Sequence, residues 1–396
     1  MALLTTTAIA LSATVTAGAP LELTAEAVTL IDPETRQVLF DHNGDRRMYP
    51  ASLTKMMTAL LVVENSDLEQ RVKVSARAAV VGESTMHLAA GEQLRLEHLL
   101  LGTMLNSAND GATACAEAVD GSVTEFVAHM NRRARELGMT DTHFVNHTGL
   151  QSADHYSTAR DLATLAIAVM ARPELRPIVR TQQATVPWPG RAYDRKLVNR
   201  NQLLARWPVC DGVKTGYTKQ AGRCLAASAY VDGWRLIAVV LKSKDAWADA
   251  QGLLEWGFGG FYKVALVAGG VTQATVAVRG GAEDSVEVVA TEDVIAVLPR
   301  GTQPEDPVLD VTACEAPVIA GETIAHVSVT GPDGQIRSVA MAAVSDVPAS
   351  LWAVLWGDPR FVWALAALLS VSVGVLIYAA TTEAVGARRL GKSSHL

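Results

Sequence analysis

Ser52 and Lys55 stand three residues apart in PASLTKMMTA (50–59), at the front of an apolar, methionine-rich segment. On a helix, positions i and i+3 share one face, so the lysine amine can reach the serine hydroxyl. A serine hydroxyl becomes a useful nucleophile only when a neighbouring base takes its proton. Lysine can be that base if burial or a second cation lowers its pKa, by up to roughly 3–5 units when the amine is fully buried. A serine just after Pro50 is also an ordinary helix-initiating residue. S-x-x-K alone fits both roles, and the nucleophile reading demands a second basic group nearby.

DGVKTGYT supplies that group as Lys214-Thr215-Gly216 on an expected strand: a cation, a hydroxyl for a carboxylate, and a glycine that lets a substrate backbone approach. MLNSANDGA places Ser107-Ala108-Asn109 on a loop between helices, with a hydroxyl to relay a proton and a side-chain amide to bind the amide of a substrate. Singly these read equally as an exposed strand end and a polar connecting loop. Together, S-x-x-K, S-x-N and K-T-G follow in the order and the contexts their chemistry needs.

On these motifs the chain resembles the low-molecular-mass penicillin-binding proteins that are serine-type D-alanyl-D-alanine carboxypeptidases. The likeness runs from about Glu26 to Tyr262, through MHLAAGEQLRLEHLLLGTMLNSANDGA, THFVNHTGL, HYSTARDLA, NRNQLL and DGVKTGYTKQAGRCLAASA. It implies an α+β transpeptidase/β-lactamase-like catalytic domain, an antiparallel sheet flanked by helices with a helical subdomain. It also implies Ser52 as nucleophile, Lys55 as base, and Ser107, Asn109 and Lys214 as further catalytic groups. Lys214, Thr215, Gly216, Tyr217 and Arg200 would bind substrate, with the Ser52 and Tyr217 N–H groups holding the oxyanion. The implied substrate is a peptidoglycan stem peptide ending in D-Ala-D-Ala, with β-lactams as covalent inhibitors. The implied chemistry needs no cofactor and no metal.

A DD-endopeptidase or a β-lactamase could use the same three motifs. Class A β-lactamases add a glutamate that activates the deacylating water. No E-x-x-x-N segment lies between Ser107 and Lys214, so slow deacylation is expected. His143, His147 and His155 in DTHFVNHTGLQSADH raise a zinc peptidase. Asn146 and Gly149 argue against a helix there and no H-E-x-x-H is present, so loop histidines packed beside the catalytic domain are the favoured reading.

Several elements must position these groups. EAVTLID and QVLFDHN read as a β-hairpin, Pro50 to about Glu64 as a helix, and roughly Ala76 to Arg172 as mostly helical. VCDGVKTG, RCLAASAYV and WRLIAVVLKS read as strands, followed by a helix from about Ala246 to Trp256. From Gly270, short β-rich runs alternate with turns, Pro332-Asp333-Gly334 among them, as in a small all-β module.

With 396 residues, more than one domain is expected. The formal charge of −7 and the lack of a basic, aromatic-bearing patch exclude nucleic acid as a partner. FVWALAALLSVSVGVLIYAA (361–380) is uncharged and long enough to span a bilayer. Trp352, Trp356, Trp363 and Tyr378 mark its ends, and Arg388, Arg389 and Lys392 follow it. The expectation is a single-pass protein of the bacterial cell membrane with its catalytic domain outside. The division is thus 1–20 signal segment, 21–265 catalytic domain, 270–346 β-rich domain, 361–380 transmembrane helix and 381–396 cytoplasmic tail. Residues 1–19 are uncharged and end in Ala17-Gly18-Ala19, but they lack a basic n-region, and Pro20 after them disfavours cleavage there. Cys210 and Cys224, on neighbouring expected strands, form a candidate disulfide in an exported chain.

Overall fold

The computed structural model describes residues 21–304, 306–311, 314–330 and 336–390. The expected signal segment, the Pro332-Asp333-Gly334 turn and Lys392 lie outside the described residues. Two units are present: residues 21–263 with 297–302, and 264–296 with the described part of 303–390.

The first unit is built on a five-stranded sheet. Its strands are β1 (Ala27–Ile31), β2 (Val38–His42), β3 (Cys210–Thr218), β4 (Gly222–Val231) and β5 (Trp234–Ser243). They lie in the order β2-β1-β5-β4-β3, and every pairing is antiparallel. WRLIAVVLKS is apolar without a break from Leu236 to Leu241 because β5 is covered on both faces there. Ile237, Val239 and Leu241 join one core, and Leu236, Ala238 and Val240 the other. Asp32 closes the β1–β2 turn by accepting from the N–H groups of Glu34 and Thr35, and takes the Trp234 indole N–H at 2.7 Å.

Helices α1 (Lys55–Asn65), α2 (Leu96–Leu105), α3 (Asn109–Asp120), α4 (Val123–Glu136) and α5 (Ala159–Ala171) contribute to the first core. Helix α6 (Ala246–Gly260) packs on the opposite face through Leu253 and Leu254. Ser122 and Thr158 start α4 and α5 by accepting from backbone N–H groups three residues on. Two short ribbons were not expected: Arg71–Lys73 with Gln93–Arg95, and Gln183–Val186 with Arg195–Val198.

The second unit carries a six-stranded sheet with a valine-rich core, including Val276, Val288 and Val327. Ser350 caps the helix Leu351–Gly357. Helix α7 (Pro359–Leu390) follows. Its stretch Pro359–Thr382 has a mean hydropathy of 2.2 and is exposed, which makes it long and apolar enough to cross a membrane.

Candidate active site

A 3₁₀ turn, Ala51–Thr54, runs directly into α1, and no side chain caps either element. Ser52 is therefore not spent on helix initiation. Its Oγ lies 3.1 Å from Lys55 Nζ. The Lys55 side chain is fully buried, and Nζ also donates to Asn109 Oδ1 and to the Thr148 carbonyl, each at 2.7 Å. Both acceptors are fixed from elsewhere. Asn109 opens α3, and its own amide donates at 3.0 Å to the Gly82 carbonyl. Thr148 belongs to a loop knotted by Asn146, whose Oδ1 accepts from the N–H groups of Thr148, Gly149 and Leu150.

Gly149 packs against the back of the serine. A Cβ there would sit 1.8 Å from the Ala51 carbonyl oxygen and 2.9 Å from Ser52 N, at a φ of +86°. Gly216 approaches the same turn from β3, with its Cβ position 3.2 Å from Ser52 N. The K-T-G segment lies on this edge strand, in register with Ala226, Leu225 and Cys224 of β4. Lys214 is buried and its amine donates to the Thr215 carbonyl at 3.1 Å. Ser107 is buried in a left-handed conformation at the end of α2, and its Oγ has no hydrogen-bond partner among the described residues.

Burial and neighbouring cations weaken the hold of both lysines on their protons. The Lys55 amine lies well below the ordinary lysine range, first because it is desolvated, then because Lys214 and Arg200 face it. Glu83 and Asp110 oppose that shift in part. Lys214 is pushed down to about 7 by burial and by Arg200. The second basic group demanded by the S-x-x-K reading is thus present, and its charge helps to lower the Lys55 pKa.

NRNQLL is positioned between the other two motifs. The Val198 N–H donates to Asn106 Oδ1, the Arg200 N–H donates to the Leu105 carbonyl, and Asn201 donates to the Gly212 carbonyl on β3. Ser52, Ser107, Asn109, Arg200, Thr215, Gly216 and Tyr217 all line one cleft of about 900 Å³, with Lys55 and Lys214 buried beneath its surface. Every residue assigned to catalysis or substrate binding by the family resemblance therefore lines this cleft or underlies it.

The family model for D-alanyl-D-alanine carboxypeptidase, peptidase family S11, matches residues 13–245. The chain belongs to this family. Among curated relatives, the D-alanyl-D-alanine carboxypeptidase DacF of Bacillus subtilis is 32% identical over 335 residues, 81% of this chain and 85% of its own. Penicillin-binding protein 5 of Haemophilus influenzae superimposes with a TM-score of 0.71 at 30% identity, covering 84% of this chain and 99% of that one. The Streptomyces K15 DD-transpeptidase superimposes at 0.57 with 31% identity, covering 60% of this chain and 98% of that one. The α+β transpeptidase-like fold and a serine-type carboxypeptidase activity follow from this membership.

Asn146, Thr148 and Gly149 belong to this carboxypeptidase site, although no candidate list drawn from side-chain chemistry includes them. Their signals in the sequence were the N-x-x-G spacing of a turn and their place in THFVNHTGL, one of the stretches that carry the family likeness. The histidines of the same segment are placed by hydroxyl and backbone partners. His147 Nε2 lies 2.9 Å from Thr113 Oγ1, and His155 Nε2 lies 2.8 Å from Thr54 Oγ1. The His143 ring donates through Nδ1 to the Asp154 carbonyl at 2.7 Å. Burial pushes His147 and His155 down to about 4, so both are neutral. The candidate Cys210–Cys224 disulfide is corrected: all four cysteines are free. The β3–β4 register sets Cys224 opposite Gly216 and Cys210 opposite Ala229, which keeps the two thiols apart along the ladder.

Proposed function

We propose that Ser52 is the nucleophile of a D-alanyl-D-alanine carboxypeptidase reaction and Lys55 its general base, acting on peptidoglycan stem peptides that end in D-Ala-D-Ala. One observation carries the assignment. A neutral lysine amine has two N–H groups and one lone pair. The Asn109 and Thr148 oxygens can only accept, so they take both N–H groups. The lone pair is left facing Ser52 Oγ, 3.1 Å away.

In this reading the Ser52 oxygen attacks the carbonyl of the penultimate D-Ala while its proton passes to Lys55 Nζ. The Ser52 and Tyr217 N–H groups hold the oxyanion. The C–N bond breaks, and a proton reaches the departing D-alanine amine through Ser107, whose hydroxyl is unengaged. Water then hydrolyses the ester and restores the serine. Arg200, Thr215 and Lys214 receive the terminal carboxylate. β-Lactams acylate Ser52 as substrate mimics and leave slowly. Helix α7 anchors the chain as a single pass in the cell membrane, with the catalytic unit on the extracytoplasmic side and the β-rich unit as its spacer.

Mass spectrometry after labelling with a fluorescent penicillin tests the assignment on wild type and Ser52→Ala. The adduct maps to the peptide containing Ser52 and is absent from the variant. A label that persists in Ser52→Ala refutes the nucleophile, and rapid turnover of a chromogenic cephalosporin would make the chain a β-lactamase instead.

A further inference from the structure

Among the described residues, the charged side chains that line the cleft surface are Lys196, Arg200 and Arg223, all basic, and a single carboxylate, Glu83. Glu64, Glu92 and Asp211 in the same unit are each ion-paired with arginine. Glu83 has no ion pair or hydrogen bond among the described residues, and it is exposed.

Its place is fixed by a residue of the active site. The Asn109 amide donates to the Gly82 carbonyl at 3.0 Å, and the Asn109 backbone N–H donates to the Ser84 carbonyl at 2.7 Å. These two bonds grip the chain on either side of Glu83, which adopts a left-handed φ of +65°. Asn109 Nδ2 carries two hydrogens, and Gly82 takes only one. The other is free for a carbonyl on the acyl side of a bound peptide. That carbonyl ends the residue just before the penultimate D-Ala, so the side chain of that residue emerges beside Asn109 and the Glu83 loop.

We infer that Glu83 is a subsite for the ammonium group of a diamino acid at the position immediately preceding D-Ala-D-Ala. The inference rests on the carboxypeptidase reading and names a determinant of its substrate. A peptide that carries a terminal carboxylate and a side-chain ammonium presents opposite charges to one cleft. Basic groups serve the first, but their surplus would repel the second. Glu83 supplies the opposite sign on the loop tied to Asn109.

The test compares two substrates on the full-length chain in detergent: Nα-acetyl-Lys-D-Ala-D-Ala with its side-chain amine free, and the same peptide with that amine acetylated. The ratio of their kcat/KM values cancels changes in folded fraction and in the Lys55 proton equilibrium. An exposed ion pair is worth about 0.2–1 kcal/mol, so wild type should favour the free amine by up to about fivefold, less at high salt. E83Q should bring the ratio to one or below, because the basic groups remain, and E83K should lower it further. A wild-type ratio of one, or an E83Q ratio equal to a wild-type preference, overturns the inference while D-alanine release still stands. If neither peptide releases D-alanine, the carboxypeptidase reading fails and takes the inference with it.

Discussion

Replacing Gly149 by alanine tests whether the loop behind the serine positions the reaction. Two effects add at this position. A left-handed backbone costs an ordinary L-residue roughly 1–2 kcal/mol. The methyl would also lie 1.8 Å from the Ala51 carbonyl oxygen and 2.3 Å from its carbon, and those neighbours are backbone. Restoring van der Waals contact, about 3.5 Å between heavy atoms, separates the two segments by on the order of 1 Å or more. The 3₁₀ turn carrying Ser52 must then shift relative to Lys55 Nζ and to the Tyr217 N–H of the proposed oxyanion site. Misplacement by about 1 Å costs roughly a hundredfold in rate. The expected result is a fall of about two orders of magnitude in the second-order acylation constant for a fluorescent penicillin. The accompanying stability loss, roughly 2–5 kcal/mol once crowding is added, lies within what a domain can lose and stay folded. Gly138→Ala is the control: its φ is +78°, and nothing lies within 4 Å of the new methyl. That variant should bear the backbone strain alone and acylate at the wild-type rate. Acylation by Gly149→Ala within threefold of wild type would refute the argument, as would an equal loss in Gly138→Ala.

The acylation rate should rise with pH as Lys55 sheds its proton and fall as Lys214 discharges near 7. Lys214→Arg should remove the falling limb, and a limb kept at the same pH would assign it to another group. The unfolded chain retains a lysine proton up to its ordinary value of 10.5, whereas the folded chain has lost it above about 7. Stability contributed by Lys214 therefore grows with pH across that window and is lost as pH falls through it. Denaturant titrations of wild type and Lys214→Met should diverge in this sense between pH 7 and 10. Arg200→Ala should lower kcat/KM by roughly ten- to hundredfold on peptides with a free terminal carboxylate, from loss of a charged hydrogen bond worth about 1.5–3 kcal/mol. Its effect should largely vanish on the corresponding amides. The same variant should move the rising limb upward, because Arg200 helps to depress Lys55.

The sheet was legible where burial writes itself into a strand. WRLIAVVLKS is apolar at odd and even positions, which fits a central strand covered on both faces. The ribbon formed by 183–186 and 195–198 was not legible. Its strands have four residues each, and Pro187, Pro189 and Gly190 dominate the connection. The ribbon is held by a buried Arg195–Glu92 pair, 103 residues apart in the chain, and no local pattern announces such a contact. Yet this ribbon leads to NRNQLL and so carries Arg200 to the cleft.

The site divides along a similar line. The proposed catalytic residues Ser52, Lys55, Ser107, Asn109 and Lys214 would act through side chains that stand in short motifs, and elementary chemistry picks those out. The demand for a second cation beside Lys55 follows from what a lysine base requires. What the residue types could not reveal is how the base is held in its reactive form. A neutral amine with idle N–H groups would be free to turn and donate to the serine oxygen, the wrong polarity for deprotonation. Two acceptors that cannot donate prevent this. One is a side-chain oxygen, from Asn109, and the other is the main-chain carbonyl of Thr148. A carbonyl belongs to every residue, and Gly149 contributes by having no side chain at all, so neither leaves a chemical signature in the sequence. The Asn146 turn connects them, since it aims the one and seats the other against Ser52. In the proposed mechanism, the direction of proton transfer is therefore set by backbone geometry as much as by the side chains assigned to catalysis.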